Sequence, residues 1–175
     1  NKIINLIVDK DVNFPLGSII GDRNRVGSGF SVKNCYFGYN RSRGILIKAS
    51  DGEVSGNTLE CNNEHAVLIT PEAWWLESGC SDNVTVKDNT IIGNGKPKAI
   101  CVTGLGFIGN IPPAGLHKNI IIENNNISDC YTPCIYVGST LGGTIKNNQI
   151  ANPKNTGEKS NPIETKNCDM LETGL

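Results

Sequence analysis

The chain has 175 residues, of which 38% are hydrophobic, and a net charge of −1, which suits one folded domain with a single core. This nearly neutral balance argues against a nucleic-acid partner, which a basic surface would attract. The apolar runs are far shorter than the roughly 20 residues that cross a bilayer, so no membrane segment is predicted.

Residues 1–29 carry no repeat and are predicted to form a lead-in of strand and turn segments. The sequence starts at Asn1, without an initiator Met or a charged-then-apolar signal stretch, which indicates a mature or cut product. No cap precedes the first repeat. An open β-helix end exposes a strand edge, so we expect either missing upstream residues or a partner there.

Residues 30–151 contain two rows of similar segments. The first row reads VKNCYF, VSGNTL, VKDNTI, IENNNI and IKNNQI, and the second reads GILIK, AVLIT, AICVT and CIYVG. Each repeat is predicted to hold two short strands, too few to bury an apolar face without stacking on the next repeat. This pattern predicts an all-β fold, a right-handed parallel β-helix of the pectin-lyase-like type with coils of about 22 residues.

Four asparagines occupy the same place in successive repeats, and Cys35 takes that place in the first. Stacked coils bring such residues within hydrogen-bonding distance, so a structural ladder of side-chain amides is predicted. The four are Asn57, Asn89, Asn125 and Asn148.

Two repeats are longer than the others, and both carry the extra residues after the second strand. The first insertion is 71–82 and the second is 104–118, so they are expected to project side by side from one corner. The first contains both tryptophans of the chain, Trp74 and Trp75. The outward side chains of the second strands are apolar, which predicts that something covers them.

Basic residues recur just before the second strands. They either form a cationic strip facing a polar ligand or lie in solvated turns, and the sequence leaves both readings open. The residues are Arg41, Arg43, His65, Lys96 and Lys98. Residues 152–175 are polar and are predicted to form a terminal coil or tail, which completes a single domain over 1–175.

Seven cysteines without zinc-ligand spacing and three N-x-S/T sequons, at Asn40, Asn83 and Asn126, favour a secreted glycoprotein with some disulfides. Buried reduced thiols are the alternative, and an Asn-rich chain also produces sequons by chance. No metal site and no cofactor are predicted.

Glycoside hydrolysis needs two carboxyl groups flanking the bond that breaks. Glu77 is the first candidate, because it follows the tryptophans, and Trp75 would desolvate it as a general acid requires. Glu72 is the second, and either tryptophan could stack on a sugar ring. The alternative to a catalytic role is a structural one, in which Glu77 only forms hydrogen bonds with loop amides. The motif sets of polygalacturonases and calcium-dependent pectate lyases are not found in the sequence.

The stretches NRSRGIL (40–46) and WLESG (75–79), followed by an Asn-ladder strand, make the sequence resemble glycoside hydrolase family 110, the α-1,3-galactosidases. The resemblance runs from about Pro15 to Ile150. It implies a β-helix that hydrolyses a terminal α-linked galactose with inversion and without metal. It assigns Glu77 to the loop glutamate, and Asn40, Arg41 and Arg43 to the N-R-x-R stretch, as substrate-binding residues.

Two departures from that family matter. Tyr39 stands where an acidic residue is expected, and TPEA stands where a G-D-x-N segment is expected, so Glu72 is an offset substitute. Members are also much longer, so the chain is expected to be one part of an enzyme, joined to an upstream half of the β-helix or to further copies. The leading hypothesis is an exo-acting glycosidase on an oligosaccharide or polysaccharide. The alternatives are a non-catalytic glycan-binding or structural β-helix, and a polysaccharide lyase.

Overall fold

The computed structural model describes residues 5, 7–14, 22, 24, 27–72, 75, 77, 79–94, 98–104, 109–155 and 161–174. These residues form strands joined by tight corners. In chain order the strands are β1 Gly27–Ser28, β2 Ser31–Lys33, β3 Tyr36–Gly38, β4 Ile45–Ile47, β5 Ala49–Ser50, β6 Gly52–Ser55, β7 Thr58–Glu60, β8 Val67–Ile69, β9 Asp82–Lys87, β10 Thr90–Ile92, β11 Ile100–Val102, β12 His117–Glu123, β13 Asn126–Ser128, β14 Ile135–Gly138, β15 Thr140–Lys146, β16 Gln149–Ala151, β17 Ile163–Lys166 and β18 Asp169–Thr173.

Three parallel sheets run the length of the described fold, and a short pair, β1 with β5, lies beside them. The first sheet has the order β18-β15-β12-β9-β6-β2, the second β16-β13-β10-β7-β3 and the third β17-β14-β11-β8-β4. Neighbours in every sheet come from successive repeats, which is the stacking that the sequence predicts. The predicted parallel β-helix is therefore confirmed.

Each coil holds three strands, where the sequence predicted two. The first row of repeats splits into two strands, because the backbone turns sharply just before the ladder asparagine. Residues at this corner have a positive φ, a conformation that Gly, Asn and Asp adopt with least strain. The corner residues are Asn34, Gly56, Asp88, Asn124 and Asn147.

The predicted amide ladder is present inside this corner. The Nδ2 of Asn57 donates to the Oδ1 of Asn89 at 2.9 Å, Asn89 donates in the same way to Asn125 at 2.9 Å, and Asn125 to Asn148 at 2.8 Å. Each of these oxygens also accepts a backbone N–H from the preceding coil. Because the amides are buried, the ladder satisfies corner groups that water cannot reach.

Inward side chains of all three sheets form one hydrophobic core of aliphatic residues, including Val54, Leu59 and Val67. On the outer face of the third sheet, the apolar row is buried at Leu68, Cys101 and Tyr136 and exposed at Leu46. The row is thus covered over three of its four positions.

Strands continue into the polar C-terminal region, since β17 pairs with β14 and β18 pairs with β15. The assignment of 1–175 to one domain with a lead-in and a tail stays a prediction. In the part of the chain that the structure describes, no helix has the length and apolarity needed to cross a membrane.

Candidate functional site

The two insertions leave neighbouring strands of the third sheet, β8 and β11, as the repeat lengths predicted. Their bases lie close together, since a Cβ added at Gly104 would lie 2.2 Å from Cδ2 of Leu116 and 3.5 Å from Cδ of Pro71. The base of the second insertion is also held by His117, whose buried ring accepts the Ser81 N–H at Nδ1 and donates from Nε2 to the Thr103 carbonyl.

Glu72, near the base of the first insertion, contacts residues on both sides of β4. Arg43 precedes β4 and Lys48 follows it, yet both contact the carboxylate of Glu72, at 2.7 and 2.6 Å. Glu72 therefore bridges the two cations that flank β4. Its φ of 43° is uncommon for a residue with a side chain, and the two cations stabilise the loop in this conformation.

Lys48 also binds Glu77, so one ammonium joins the two glutamates that the sequence singles out. The Nε of Arg43 lies 3.1 Å from Glu64 as an ion pair. The result is an ion-pair chain in the order Glu64, Arg43, Glu72, Lys48 and Glu77. Burial alone would lower the pKa of Lys48, but the hydrogen bonds that its ammonium donates to Glu72 and Glu77 outweigh burial and raise the pKa.

Glu77 and Trp75 both face solvent. The Glu77 side chain is 57% exposed and Trp75 is 75% exposed, so Trp75 does not bury Glu77 in this structure. The Trp75 N–H donates to the Glu72 carbonyl at 3.0 Å, which ties the aromatic residue to the ion-pair chain. Trp74 lies outside the described residues.

The separation of the two carboxylates limits what they can do together. Oxygens bound to one ammonium are at most about 6 Å apart, twice a hydrogen-bond length. Lys48 also occupies the space between them, where a sugar and a water molecule would have to fit. In this arrangement Glu72 is the anchored carboxylate, held by two cations, and Glu77 is the accessible one.

The N-R-x-R stretch lies at the corner between the second and third sheets, and its members differ in their surroundings. The backbone N–H of Asn40 donates to the side chain of buried Asn62, at the edge of a second, shorter amide ladder. Arg41 is exposed, whereas Arg43 belongs to the ion-pair chain.

Most of the recurring basic residues that the structure describes have protein partners. His65 Nδ1 lies 3.2 Å from the Lys98 carbonyl, and the Lys98 ammonium lies 5.4 Å from the ring centre of Tyr136. Burial lowers the pKa of His65. Lys96 lies outside the described residues. These contacts favour the interpretation that the basic residues belong to the turns over the interpretation that they form an open strip for a ligand.

Sequence reasoning missed Lys48 and Glu64. Lys48 ends the segment GILIK and reads as an ordinary polar strand end, because nothing in the periodicity tells that the next coil's insertion returns over it. One feature of the sequence could have indicated the site. Arg43 and Lys48 flank one predicted strand, and the insertion of the next coil carries two glutamates that could pair with them.

The expected disulfides are wrong, since all seven cysteines are free thiols. The stacking explains several positions: Cys35 and Cys130 occupy asparagine places in the two ladders, and Cys101 lies in the outward apolar row. The sequon asparagines Asn40, Asn83 and Asn126 are all exposed. Asn83 donates its amide to Asp51 and accepts one from Asn119, so its side chain belongs to a surface ladder.

Comparison with known proteins agrees with this architecture. The family described as "Right handed beta helix region" matches residues 19–112, more than half of the chain. The chain belongs to this family. The match adds the right hand of the coil to the parallel stacking seen in the structure.

Several α-1,3-galactosidases are similar to part of this β-helix. α-1,3-Galactosidase A of Bacteroides fragilis is 34% identical over 126 residues, which cover 68% of this chain and 21% of that protein. α-1,3-Galactosidase B of Bacteroides thetaiotaomicron is 26% identical over 126 residues, 68% of this chain and 20% of the relative. α-1,3-Galactosidase B of Akkermansia muciniphila is 26% identical over 140 residues, which cover 74% of this chain and 17% of that protein. The chain thus spans about a fifth of the length of these curated relatives and is related to them through its β-helix.

Proposed function

We propose that this β-helix carries part of the active site of an exo-acting glycoside hydrolase that removes a terminal α-linked galactose. The observation that carries the proposal is the first insertion, which presents exposed Glu77 and Trp75 over a charged floor formed by Lys48, Glu72 and Arg43. An aromatic side chain beside paired charges suits a sugar, which has both an apolar face and hydroxyl groups. The similarity to α-1,3-galactosidases supports galactose as the sugar.

In this proposal the two glutamates have different roles. Glu77 faces solvent and is paired with Lys48, and an accessible carboxylate can activate water as a general base. Glu72 positions Lys48 and the loop. Because Lys48 separates the two carboxylates, we assign the general acid of an inverting reaction to a group other than Glu72.

The main alternative is a non-catalytic glycan-binding β-helix. It is supported by the ion-pair chain itself, since Lys48 neutralises both carboxylates while Trp75 stays open. A polysaccharide lyase is less well supported, because its uronate substrate needs free cations and those of the floor are already paired. Export from the cell is proposed from the glycan substrate alone.

The test is release of free galactose from an α-1,3-galactosyl oligosaccharide, followed by NMR, which also reports the anomer first formed. Glu77→Gln is expected to lower the rate by about 100-fold or more, as loss of a general base does. Glu64→Gln is the matched control, since it changes a carboxylate at the far end of the ion-pair chain, and it should retain most activity. Sugar binding without release in the unaltered protein would favour the non-catalytic alternative, and unsaturated products would favour a lyase.

A further inference from the structure

The outer face of the second sheet differs in its charge from the outer face of the first sheet. Its outward side chains form two stacked rows, and of all these residues only Glu60 is charged. The rows are Tyr36, Thr58, Thr90, Asn126, Gln149 and Gly38, Glu60, Ile92, Ser128, Ala151. The first sheet, in contrast, pairs Lys33 and Lys87 with Glu53 on its outer face. The second sheet thus presents a nearly uncharged surface of hydroxyl and amide groups.

Two exposed tyrosines stand at one end of this face, in the first coil. Tyr36 is 58% exposed and Tyr39 is 70% exposed. Both hydroxyls donate to the same carboxylate, Tyr36 to Oε2 of Glu60 at 2.8 Å and Tyr39 to Oε1 at 3.0 Å. We call these three residues the tyrosine platform. The carboxylate is satisfied by the two phenols, so the platform is a hydrogen-bonding surface without an open cation site.

The ring of Tyr36 lies across its own strand. A Cβ added at Gly38 would be 2.3 Å from the Tyr36 hydroxyl oxygen and 2.6 Å from Cζ, so the ring covers the space that Gly38 leaves empty. The Tyr36 side chain nevertheless stays more than half exposed, so part of its ring is open to solvent. The hydrogen bond to Glu60 raises the pKa of Tyr36 to about 12, so the hydroxyl keeps its proton and the ring keeps its anchor.

We propose that the tyrosine platform is a second carbohydrate-binding site, which takes a segment of a neutral glycan chain laid across the second sheet. Contiguous exposed aromatic surface is typical of interaction sites, and anchored rings lose little conformational entropy when a ligand binds. Sugar rings stack on such faces through their C–H groups, while Thr58, Thr90 and Asn126 offer partners for hydroxyls. The single carboxylate disfavours an anionic polymer, so the ligand is a neutral glycan.

This site lies on the second sheet, whereas Glu77 lies in the first insertion, which leaves the third sheet after β8, and the site does not depend on the proposed hydrolase activity. Asn40 and Arg41 lie at the corner between the second and third sheets. A long glycan could contact both sites, but the tyrosine platform is expected to bind whether or not the chain cleaves anything.

The test is affinity electrophoresis of the full chain in gels that contain glucomannan, a neutral polysaccharide without terminal α-linked galactose, with polygalacturonate as the acidic comparison. Migration should be retarded by glucomannan only. The double variant Tyr36→Ala with Tyr39→Ala should lose the retardation, with an apparent Kd at least about tenfold higher. Tyr36→Phe with Tyr39→Phe keeps the rings and should retain most binding. Glu77→Gln should bind like the unaltered protein.

Two measurements keep the outcome unambiguous. Circular dichroism and thermal unfolding must match between the alanine variant and the unaltered protein, which the exposure of both rings leads us to expect. Light scattering must show the same mass, because an exposed aromatic face can also pair two copies. Equal retardation of the alanine variant, preference for polygalacturonate, or a change from dimer to monomer in that variant would each overturn the proposal.

Discussion

At the scale of single residues, Lys48 decides the arrangement of the candidate site. Its side chain is 18% exposed and contacts Glu72, which is 17% exposed, as well as Glu77. Without the Lys48 ammonium, Glu72 and Glu77 would lose the cation that they share, and among the described residues Arg43 would be the cation left beside Glu72. Lys48 is thus expected to matter for stability as well as for the shape of the loop.

Lys48→Met should lower the free energy of unfolding by about 1–2 kcal/mol, between the values for exposed and buried ion pairs. Lys146→Met is the matched control, because Lys146 forms one exposed pair with Glu123 and should change stability by less than about 0.5 kcal/mol. Urea denaturation at neutral pH measures both. Equal effects would mean that the ion-pair chain is not stabilising.

A second residue-scale prediction concerns His117. Burial lowers its pKa, so the folded state favours the neutral ring, which bridges Ser81 and Thr103. Stability should therefore be constant above pH ~6.5, the unfolded pKa, and fall as the pH drops toward the folded pKa. His65 contributes in the same direction. Urea midpoints at pH 7.5, 6.5 and 5.5 should show this decline, and His117→Gln should make it shallower. A profile unchanged by the substitution would assign the decline to other groups.

At the scale of elements, the corner and its ladder hold the coils in register. Asn89 makes side-chain bonds in both directions along the stack: its Nδ2 donates to Asn125 and to the Val54 carbonyl, and its Oδ1 accepts from Asn57. Because every partner is buried, removal of one amide leaves donors and acceptors that water cannot satisfy.

Asn89→Ala should therefore lower the free energy of unfolding by about 3 kcal/mol, from several buried groups left unpaired. Asn126→Ala provides the control, since Asn126 is exposed one coil further along, and its replacement should cost no more than about 0.5 kcal/mol. Chemical denaturation compares the two. A small loss at Asn89 would show that the coils stay in register without the ladder.

At the scale of the whole molecule, local stability is expected to depend on a strand's position along the stack of coils. Each coil contacts only its neighbours, so β9, β10 and β11 are supported on both sides, whereas β2 and β3 lie at one edge of their sheets and β18 at the other. Amide hydrogen exchange should be slowest in the central strands and at least about tenfold faster at the edges. Uniform protection across the coils would instead indicate a single cooperative unit.

The sequence by itself determined the β-helix, the amide ladder and the corner from which the insertions project. These features repeat along the chain, and stacking brings repeated residues into contact whatever the loops do. The sequence did not reveal the third strand of each coil. The first row of repeats reads as one continuous segment, although the backbone turns just before the ladder asparagine and divides it into two strands.

Only the tertiary structure decided which side chains meet. Lys48 and Glu72 come together because the first insertion turns back over the coil beneath it, a direction that no periodicity encodes. Tyr36, Tyr39 and Glu60 meet because neighbouring coils place residues more than 20 positions apart on one face, where Gly38 leaves room for a ring. Repetition determines the backbone, whereas loop direction and side-chain orientation depend on contacts that form only when the coils have stacked.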